Sequence, residues 1–184
     1  AKLNRSIQMK KIKFPIVVKP TNEGSSIGVR ICKNIQDLNQ SLKSLFRKHL
    51  ELIFEPYIGG QEIQVAVING NPLGAIELEP KRKFYDYKAK YSKAAKTKHI
   101  MPANLKRYEY REALKIAKKA NDALGCKGIT RSDFKFFNNK FYLLEINTQP
   151  GMTNLSLVPE IADYKGISFQ NLVKKILSNA SLNK

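Results

Sequence analysis

The chain has 184 residues, of which 42% are hydrophobic, and it carries 33 basic against 15 acidic side chains, for a net charge of +18. A chain of this length can bury about two-thirds of its unfolded surface, so the composition excludes a disordered protein, and the apolar runs are too short for the roughly 20 residues of a membrane span. Cys32 and Cys126 stand far apart, which excludes a disulfide framework and a zinc site and favours a cytoplasmic protein with free thiols.

The first third of the chain predicts a hairpin, a helix and a further strand. The hairpin has a polar, turn-rich loop over 20–26. Asn34, with Asp37 three residues later, is typical of a helix cap and precedes apolar residues at helical spacing. The segment 56–60, with its proline and glycines, predicts a boundary between two lobes. The predicted elements are strands over 14–19, 28–32 and 52–55 and a helix from Asn34 to about Lys48.

The rest of the chain predicts two more hairpins and two helices. Ile63, Val65 and Val67 alternate as in a half-buried strand, and a turn over 69–72 reverses the chain. Hairpins interrupted by helices, without strict βαβ alternation, predict an α+β fold with mainly antiparallel sheets. The predicted elements are strands over 63–68, 73–78, 128–137 and 141–147, helices over 108–124 and 168–180, a long loop over 79–106 and an irregular segment over 148–159.

The last predicted hairpin carries the most informative local pattern. If its turn is symmetric about Asn139, Asp133 opposes Glu145 and Arg131 opposes Asn147, with all four side chains on one face. Facing carboxylates repel each other unless a cation lies between them, and oxygen ligands without Cys or His suit Mg²⁺. The alternative is a carboxylate pair satisfied by Arg131 as a salt bridge. The other face then carries core residues: Ser132, Phe134, Phe136, Tyr142, Leu144 and Ile146.

Two further regions are candidate binding sites. The loop over 23–28 matches neither a P-loop nor a dinucleotide motif, but its small residues let backbone N–H groups approach an anion near Lys19; a plain hairpin turn is the alternative. Between Lys81 and Lys98, eight basic residues alternate with aromatic ones, as in grooves that bind single-stranded nucleic acid. Because the chain has 26 lysines and only 7 arginines, a lysine-rich solvated surface is favoured, and we expect no nucleic-acid partner.

Seven segments occur in order along nearly the whole chain: VVKP at 17–20, EGSSIGV at 23–29, EPYIGGQEI at 55–63, FYDYKAKY at 84–91, PA at 102–103, GCKGITRSDF at 125–134 and LLEINTQPGMTNLSLVP at 143–159. Together they resemble the D-alanine:D-alanine ligases of the ATP-grasp superfamily, and FYDYKAKY with EINTQPGMT is highly specific to that family. The resemblance implies an α+β, ATP-grasp fold with mainly antiparallel sheets and packed helices, in which ATP lies between two lobes. Residues 1–58 would form part of the central lobe, and 59–184 the C-terminal lobe.

The resemblance also implies individual roles. ATP phosphates would meet Lys19, Lys90 and the loop with Ser26. Adenine would meet Glu55 and the backbone of Pro56, Tyr57 and Ile58, and the ribose hydroxyls would meet Glu62. Mg²⁺ or Mn²⁺ would be held by Asp133, Glu145 and Asn147. Arg131 and the Gly151 N–H would stabilise the oxyanion. Ser25 and Tyr91 would position the substrates. Ser156 and Leu157 would bind the carboxylate of the second D-alanine.

The implied activity is ATP-dependent ligation of two D-alanines through an acyl phosphate, for peptidoglycan precursors. Tyr91 favours an amine acceptor over D-lactate. Lys88 departs from the family's common acidic residue, and Pro56 offers no N–H. The family's N-terminal lobe is absent from the sequence, so we expect this chain alone to bind ATP without turnover, and the family suggests a homodimer at full length. The alternatives are another ATP-grasp carboxylate-amine ligase and a noncatalytic nucleotide- or nucleic-acid-binding module.

Overall fold

A computed structural model of the chain describes residues 13–24, 26–80, 97–153 and 155–180. Within these ranges, eight strands and four helices form two compact units. The first unit ends at Tyr57, and the second begins at Ile58. Three residues with predicted roles lie outside the described residues: Ser25, Lys90 and Tyr91.

The first unit is a three-stranded antiparallel sheet with one helix packed against it. Its strands are β1 (Ile16–Pro20), β2 (Arg30–Cys32) and β3 (Leu52–Pro56), in the order β2-β1-β3, and its helix is α1 (Ile35–Leu45). The predicted hairpin and helix cap are confirmed, because β1 pairs with β2 and the Asn34 Oδ1 accepts a hydrogen bond from the Asp37 N–H at 2.8 Å. Val18 and Leu38 are fully buried in the core that joins helix and sheet.

In the part of the chain that the structure describes, the second unit is a five-stranded antiparallel sheet with three helices. The strands are β4 (Gln61–Ile68), β5 (Asn71–Glu79), β6 (Lys98–Ile100), β7 (Ile129–Phe137) and β8 (Lys140–Asn147), in the order β6-β5-β4-β7-β8. The helices are α2 (Arg107–Ala123), α3 (Leu157–Tyr164) and α4 (Phe169–Leu177). Among the helices of the described ranges, none combines the length and the hydrophobicity that crossing a bilayer requires.

Alternation along β4 and β7 separates an apolar face from a polar one. Val65 and Phe134 lie in a core with Ala113 and Ala117 of α2. Because successive side chains of a strand point to opposite faces, the residues between the apolar ones share the other face. Those residues are Glu62 and Gln64 on β4 and Arg131, Asp133 and Lys135 on β7.

Two sequence predictions about the second unit are wrong. The segment over 148–159, expected to be irregular, contains the start of α3 at Leu157. Pro159 lies in the first turn of that helix, where a missing N–H breaks no hydrogen bond of the helix. The predicted loop over 79–106 contains β6, in which His99 pairs with Leu78 of β5.

The β7–β8 hairpin also differs from the symmetric arrangement predicted about Asn139. Its turn consists of Asn138 and Asn139 at φ values of 50° and 57°, which is typical of a two-residue type I′ turn. Near the turn Phe136 therefore opposes Phe141. One extra residue, Leu144, then forms a β-bulge and restores the predicted pairing of Asp133 with Glu145.

The bulge corrects the predicted core of this hairpin. Tyr142 opposes Lys135 and so shares the polar face, and Leu144 is 38% exposed. Phe141 takes the core position instead, with its ring centroid 4.4 Å from that of Phe136. The physical reason is that a bulge shifts the alternation of one strand by one residue, which exchanges the two faces of its side chains.

Candidate functional site

Four polar residues occupy opposed positions on one face of the β7–β8 hairpin. Asp133 opposes Glu145, and Arg131 opposes Asn147, as predicted. The Arg131 Nε donates to Asp133 Oδ1 at 2.7 Å, and its Nη2 donates to Asp133 Oδ2 at 2.9 Å. The salt bridge that the sequence left open as an alternative is therefore present, and it neutralises the more buried of the two facing carboxylates.

The oxygen atoms of this face fit a hard, hydrated divalent cation. Glu145 is exposed opposite the buried Asp133, and Asn147 adds an amide oxygen that also accepts a hydrogen bond from the Gln149 N–H at 3.0 Å. Within the described ranges, no group of three or more His, Cys, Asp and Glu residues is positioned to hold a metal, so the amide oxygen and water would have to complete the ligand set. Mg²⁺ is the cation that most readily keeps several of its waters in a site of two carboxylates.

Gln64 adds an independent observation in favour of a hydrated cation. It lies directly opposite Asp133 on β4 and is 1% exposed. Its Oε1 is buried and has no hydrogen-bond partner among the described residues. A buried acceptor without a partner is costly, and a water molecule held beside Asp133 would satisfy it.

A second charged pair lies on the same face of the sheet. The Lys135 Nζ is 3.0 Å from the Glu62 Oε2, and the two side chains are 17% and 12% exposed. Glu62 was predicted to meet the ribose, whereas Lys135 and Gln64 were not singled out from the sequence. Strand alternation could have identified both residues from the sequence. Lys135 lies two residues from Asp133 and Gln64 lies two residues from Glu62, so each shares a face with a predicted site residue.

The first unit carries its own predicted site residues. The Lys19 Nζ is 2.9 Å from the Glu55 Oε2, so these two residues form an ion pair between β1 and β3. In the adjoining loop, Ser26 and Gly28 have φ values of 62° and 74°. A Cβ on Gly28 would lie 2.8 Å from the Pro20 ring, so the tight turn requires glycine there. Binding of an anion by this loop stays a prediction.

The segment predicted to meet adenine offers one backbone donor. Pro56 has no N–H, and the Tyr57 N–H donates to the Pro15 carbonyl at 3.0 Å. Among the described residues, no backbone acceptor is found for the N–H of Ile58. Ile58 is therefore the residue of this segment that we take as the candidate backbone donor to adenine.

The start of α3 offers backbone donors to an anion. The Ser156 Oγ accepts a hydrogen bond from the Thr153 N–H at 2.9 Å and makes no capping bond to the helix. Because Pro159 lacks an N–H, the first-turn donors are those of Leu157 and Val158, and a helix N-terminus favours a carboxylate or phosphate. A Cβ on Gly151 would lie 2.8 Å from the Ser156 Oγ, so a larger residue there would require the serine side chain to move.

Comparison with protein families decides where the chain belongs. Residues 2–178 match the family described as D-ala D-ala ligase C-terminus. The chain belongs to this family. The resemblance found in the sequence is thereby confirmed across almost the whole chain.

Curated relatives of this family are much longer than the chain. The chain is 59% identical over 175 residues to a D-alanine–D-alanine ligase of Pelagibacter ubique, and the aligned region covers 95% of this chain and 57% of the relative. The chain is also 46% identical over 170 residues to a D-alanine–D-alanine ligase of Geotalea uraniireducens, and the aligned region covers 92% of this chain and 54% of the relative. The chain thus spans about half the length of the curated relatives it matches.

Solved structures show the same fold. A D-alanine–D-alanine ligase from Bacillus anthracis complexed with ATP has a TM-score of 0.80 at 28% identity, over 95% of this chain and 55% of that one. The VanG D-Ala:D-Ser ligase from Enterococcus faecalis has a TM-score of 0.81 at 28% identity, over 93% and 51% of the two chains. The predicted α+β class and ATP-grasp fold are confirmed.

Proposed function

We propose that the chain is the part of a D-alanine–D-alanine ligase that binds ATP, a divalent cation and the acceptor amino acid. The enzyme would act in the cytoplasm, as a homodimer, to supply dipeptide for peptidoglycan. Residues 1–58 would be part of the central lobe and 59–184 the C-terminal lobe. The observation that carries this proposal is the cross-strand register that sets Asp133 opposite Glu145 and Arg131 opposite Asn147, within a family match over residues 2–178.

The proposed reaction has two steps. A carboxylate oxygen of the first D-alanine attacks the γ-phosphorus of ATP, which forms an acyl phosphate and releases ADP. The amine of the second D-alanine then attacks the acyl carbon, the peptide bond forms, and phosphate leaves with the proton balance completed by solvent. Since neither step needs a covalent enzyme intermediate, the protein contributes positioning and charge neutralisation.

The second unit would supply the charge-stabilising groups. Asp133, Glu145 and Asn147 would hold Mg²⁺ or Mn²⁺, which when bound neutralises phosphate charge. Arg131, oriented by its two hydrogen bonds to Asp133, would place positive charge at the oxyanion together with the Gly151 N–H. The acceptor's carboxylate would bind Ser156 and the Leu157 N–H at the start of α3.

The nucleotide contacts are proposed for each unit separately. In the first unit Lys19 and the loop with Ser26 would bind phosphates, and Glu55, Pro56 and Tyr57 would border adenine. In the second, the Ile58 N–H would donate to the adenine ring and Glu62 would accept from the ribose hydroxyls. The roles of Ser25, Lys90 and Tyr91 stay predictions.

Nucleotide binding by the 184-residue chain tests the cation site. We expect ATP binding, measured by isothermal titration calorimetry, to require Mg²⁺ and to be abolished by Asp133→Asn and by Glu145→Gln. Asp122→Asn is the matched control, since Asp122 is an exposed carboxylate paired with Lys118 on α2. An unchanged affinity for ATP in both site variants would reject the cation assignment.

Turnover requires the portion of the enzyme that this chain does not cover. Fused to the corresponding portion of the Pelagibacter relative, the chain should release phosphate from ATP only when D-alanine is present, and mass spectrometry should find D-alanyl-D-alanine. Equal stimulation by L-alanine would remove the proposed substrate specificity.

A second acceptor is supported by one comparison. The structural similarity to the D-Ala:D-Ser ligase of Enterococcus faecalis shows that this fold also serves an enzyme named for a D-serine acceptor. Supplying D-alanine with D-serine to the same fusion separates the two candidates, because the mixed dipeptide differs in mass. We expect D-alanyl-D-alanine to predominate.

A noncatalytic nucleic-acid-binding module is the alternative from another class. Its test is single-stranded DNA binding, which we expect to be weak and to vanish at moderate salt, because lysine charge alone gives salt-sensitive association.

A further inference from the structure

We propose that Lys135 is a positioning residue that fixes the Glu62 carboxylate for recognition of the nucleotide's ribose hydroxyls, an inference that rests on the proposed function. Lys135 lies directly opposite Glu62 in the pairing of β7 with β4. The ammonium and the carboxylate are 3.0 Å apart. No motif in the sequence predicts a role for this lysine.

Burial distinguishes this pair from ordinary cross-strand ion pairs. Lys98 and Glu79 are also directly opposed, on β6 and β5 of the same sheet, with their charged atoms 3.2 Å apart. Those side chains are 67% and 57% exposed, however, whereas Lys135 and Glu62 are 17% and 12% exposed. Exposed pairs contribute little, but a partly desolvated pair holds its members more strongly because water screens it less.

An ion pair of this kind can orient a carboxylate without occupying all of its acceptor directions. A carboxylate has two oxygens and about four lone-pair directions, of which a single ammonium contact takes one. Two vicinal hydroxyls need two acceptors at a fixed spacing, so recognition depends on holding the carboxylate in one orientation. Lys135 lies two residues from Asp133 on the same face of β7, so its ammonium belongs to the polar face that carries the candidate site.

The experiment compares nucleotides that differ only in their ribose hydroxyls. ATP, 2′-deoxy-ATP and 3′-deoxy-ATP are titrated with Mg²⁺ into the 184-residue chain by calorimetry. We expect the wild-type chain to prefer ATP by about tenfold or more, the effect of losing one hydrogen bond to a charged group. Lys135→Met should reduce this preference to about twofold or less, and Lys135→Arg should retain most of it.

Two controls separate positioning from other roles. Lys98→Met removes the same charge from the exposed pair and should keep the wild-type preference. Glu62→Gln should lose the preference, and adding Lys135→Met to it should change nothing further if Lys135 acts through Glu62. The double variant also leaves no unpaired charge on the sheet, so it remains informative where Lys135→Met alone fails to fold.

The outcomes are distinguishable. Normal ATP binding with an unchanged preference in Lys135→Met, or a further loss when Lys135→Met is added to Glu62→Gln, overturns the inference alone. In the second case the lysine would contact the nucleotide directly. Failure of the wild-type chain to bind any of the three nucleotides contradicts the proposed function, and the inference with it.

Discussion

Replacing Arg131 by methionine tests the charge balance of the candidate site. Methionine keeps an unbranched side chain but removes the charge. Arg131 and Asp133 are 14% and 7% exposed and are joined by two hydrogen bonds of 2.7 and 2.9 Å. Removing one partner of a buried pair leaves an uncompensated charge, so we expect the free energy of unfolding to fall by about 3–5 kcal/mol.

Urea unfolding measures this loss. For an m-value of about 2 kcal/mol/M, the midpoint should fall by about 2 M. Mg²⁺ should raise the midpoint of Arg131→Met more than that of the wild type, because the cation replaces part of the missing positive charge between Asp133 and Glu145. Arg111→Met on the exposed side of α2 is the matched control and should change stability by no more than about 0.5 kcal/mol. A loss of less than about 1 kcal/mol in Arg131→Met would refute the reasoning.

Three further predictions concern stability at other positions, each measured by urea unfolding. Gly60→Ala should cost about 2–4 kcal/mol, because Gly60 has a φ of +82° and a Cβ there would clash with the Phe136 carbonyl oxygen. Gly59→Ala, with open space around it, should stay within about 0.5 kcal/mol, and equal effects would contradict the clash. Burial raises the pKa of the Tyr110 phenol above its usual 10.0, because the neutral phenol is favoured in the folded protein. The contribution of this phenol to folding stability is complete below that pH and is lost as the pH rises through the folded-state pKa. As the pH rises above 10.0, stability should therefore fall more steeply in the wild type than in Tyr110→Phe, and parallel curves would rule this out. Asn139→Val should cost about 1–2 kcal/mol, because its φ of 57° disfavours a branched side chain, whereas Asn139→Gly should be nearly neutral; similar losses in both would argue against backbone strain.

Elements defined by local hydrogen bonding were predictable from the sequence. Asn34 and Ser168 cap their helices through the N–H groups of Asp37 and Asn171, as residues of their type commonly do. Helix α3 was not predicted, although a proline such as Pro159 is compatible with the first turn of a helix. Local signals therefore located most elements but missed α3 and the short strand β6.

The candidate site was predicted correctly although the hairpin around it was not. The turn is one residue shorter than assumed, and the bulge at Leu144 adds one residue back, so the two errors cancel at Asp133 and Glu145. The bulge accompanies the packing of Phe141 with Phe134 and Phe136, a cross-strand contact that alternation along one strand does not specify. Lys135 acquires its partner only because β4 pairs with β7 across a large separation in sequence.

The bulge at Leu144 has a second consequence, for solubility. Within the described residues β8 lies at one edge of its sheet, with β6 at the other, and Leu143 and Leu144 on β8 are 42% and 38% exposed. An outermost strand with apolar side chains is a template on which another polypeptide can add a strand and begin a fibril. Because a bulge interrupts the even spacing of backbone donors and acceptors, the residue that brings Glu145 opposite Asp133 also makes this border a poor template for such growth.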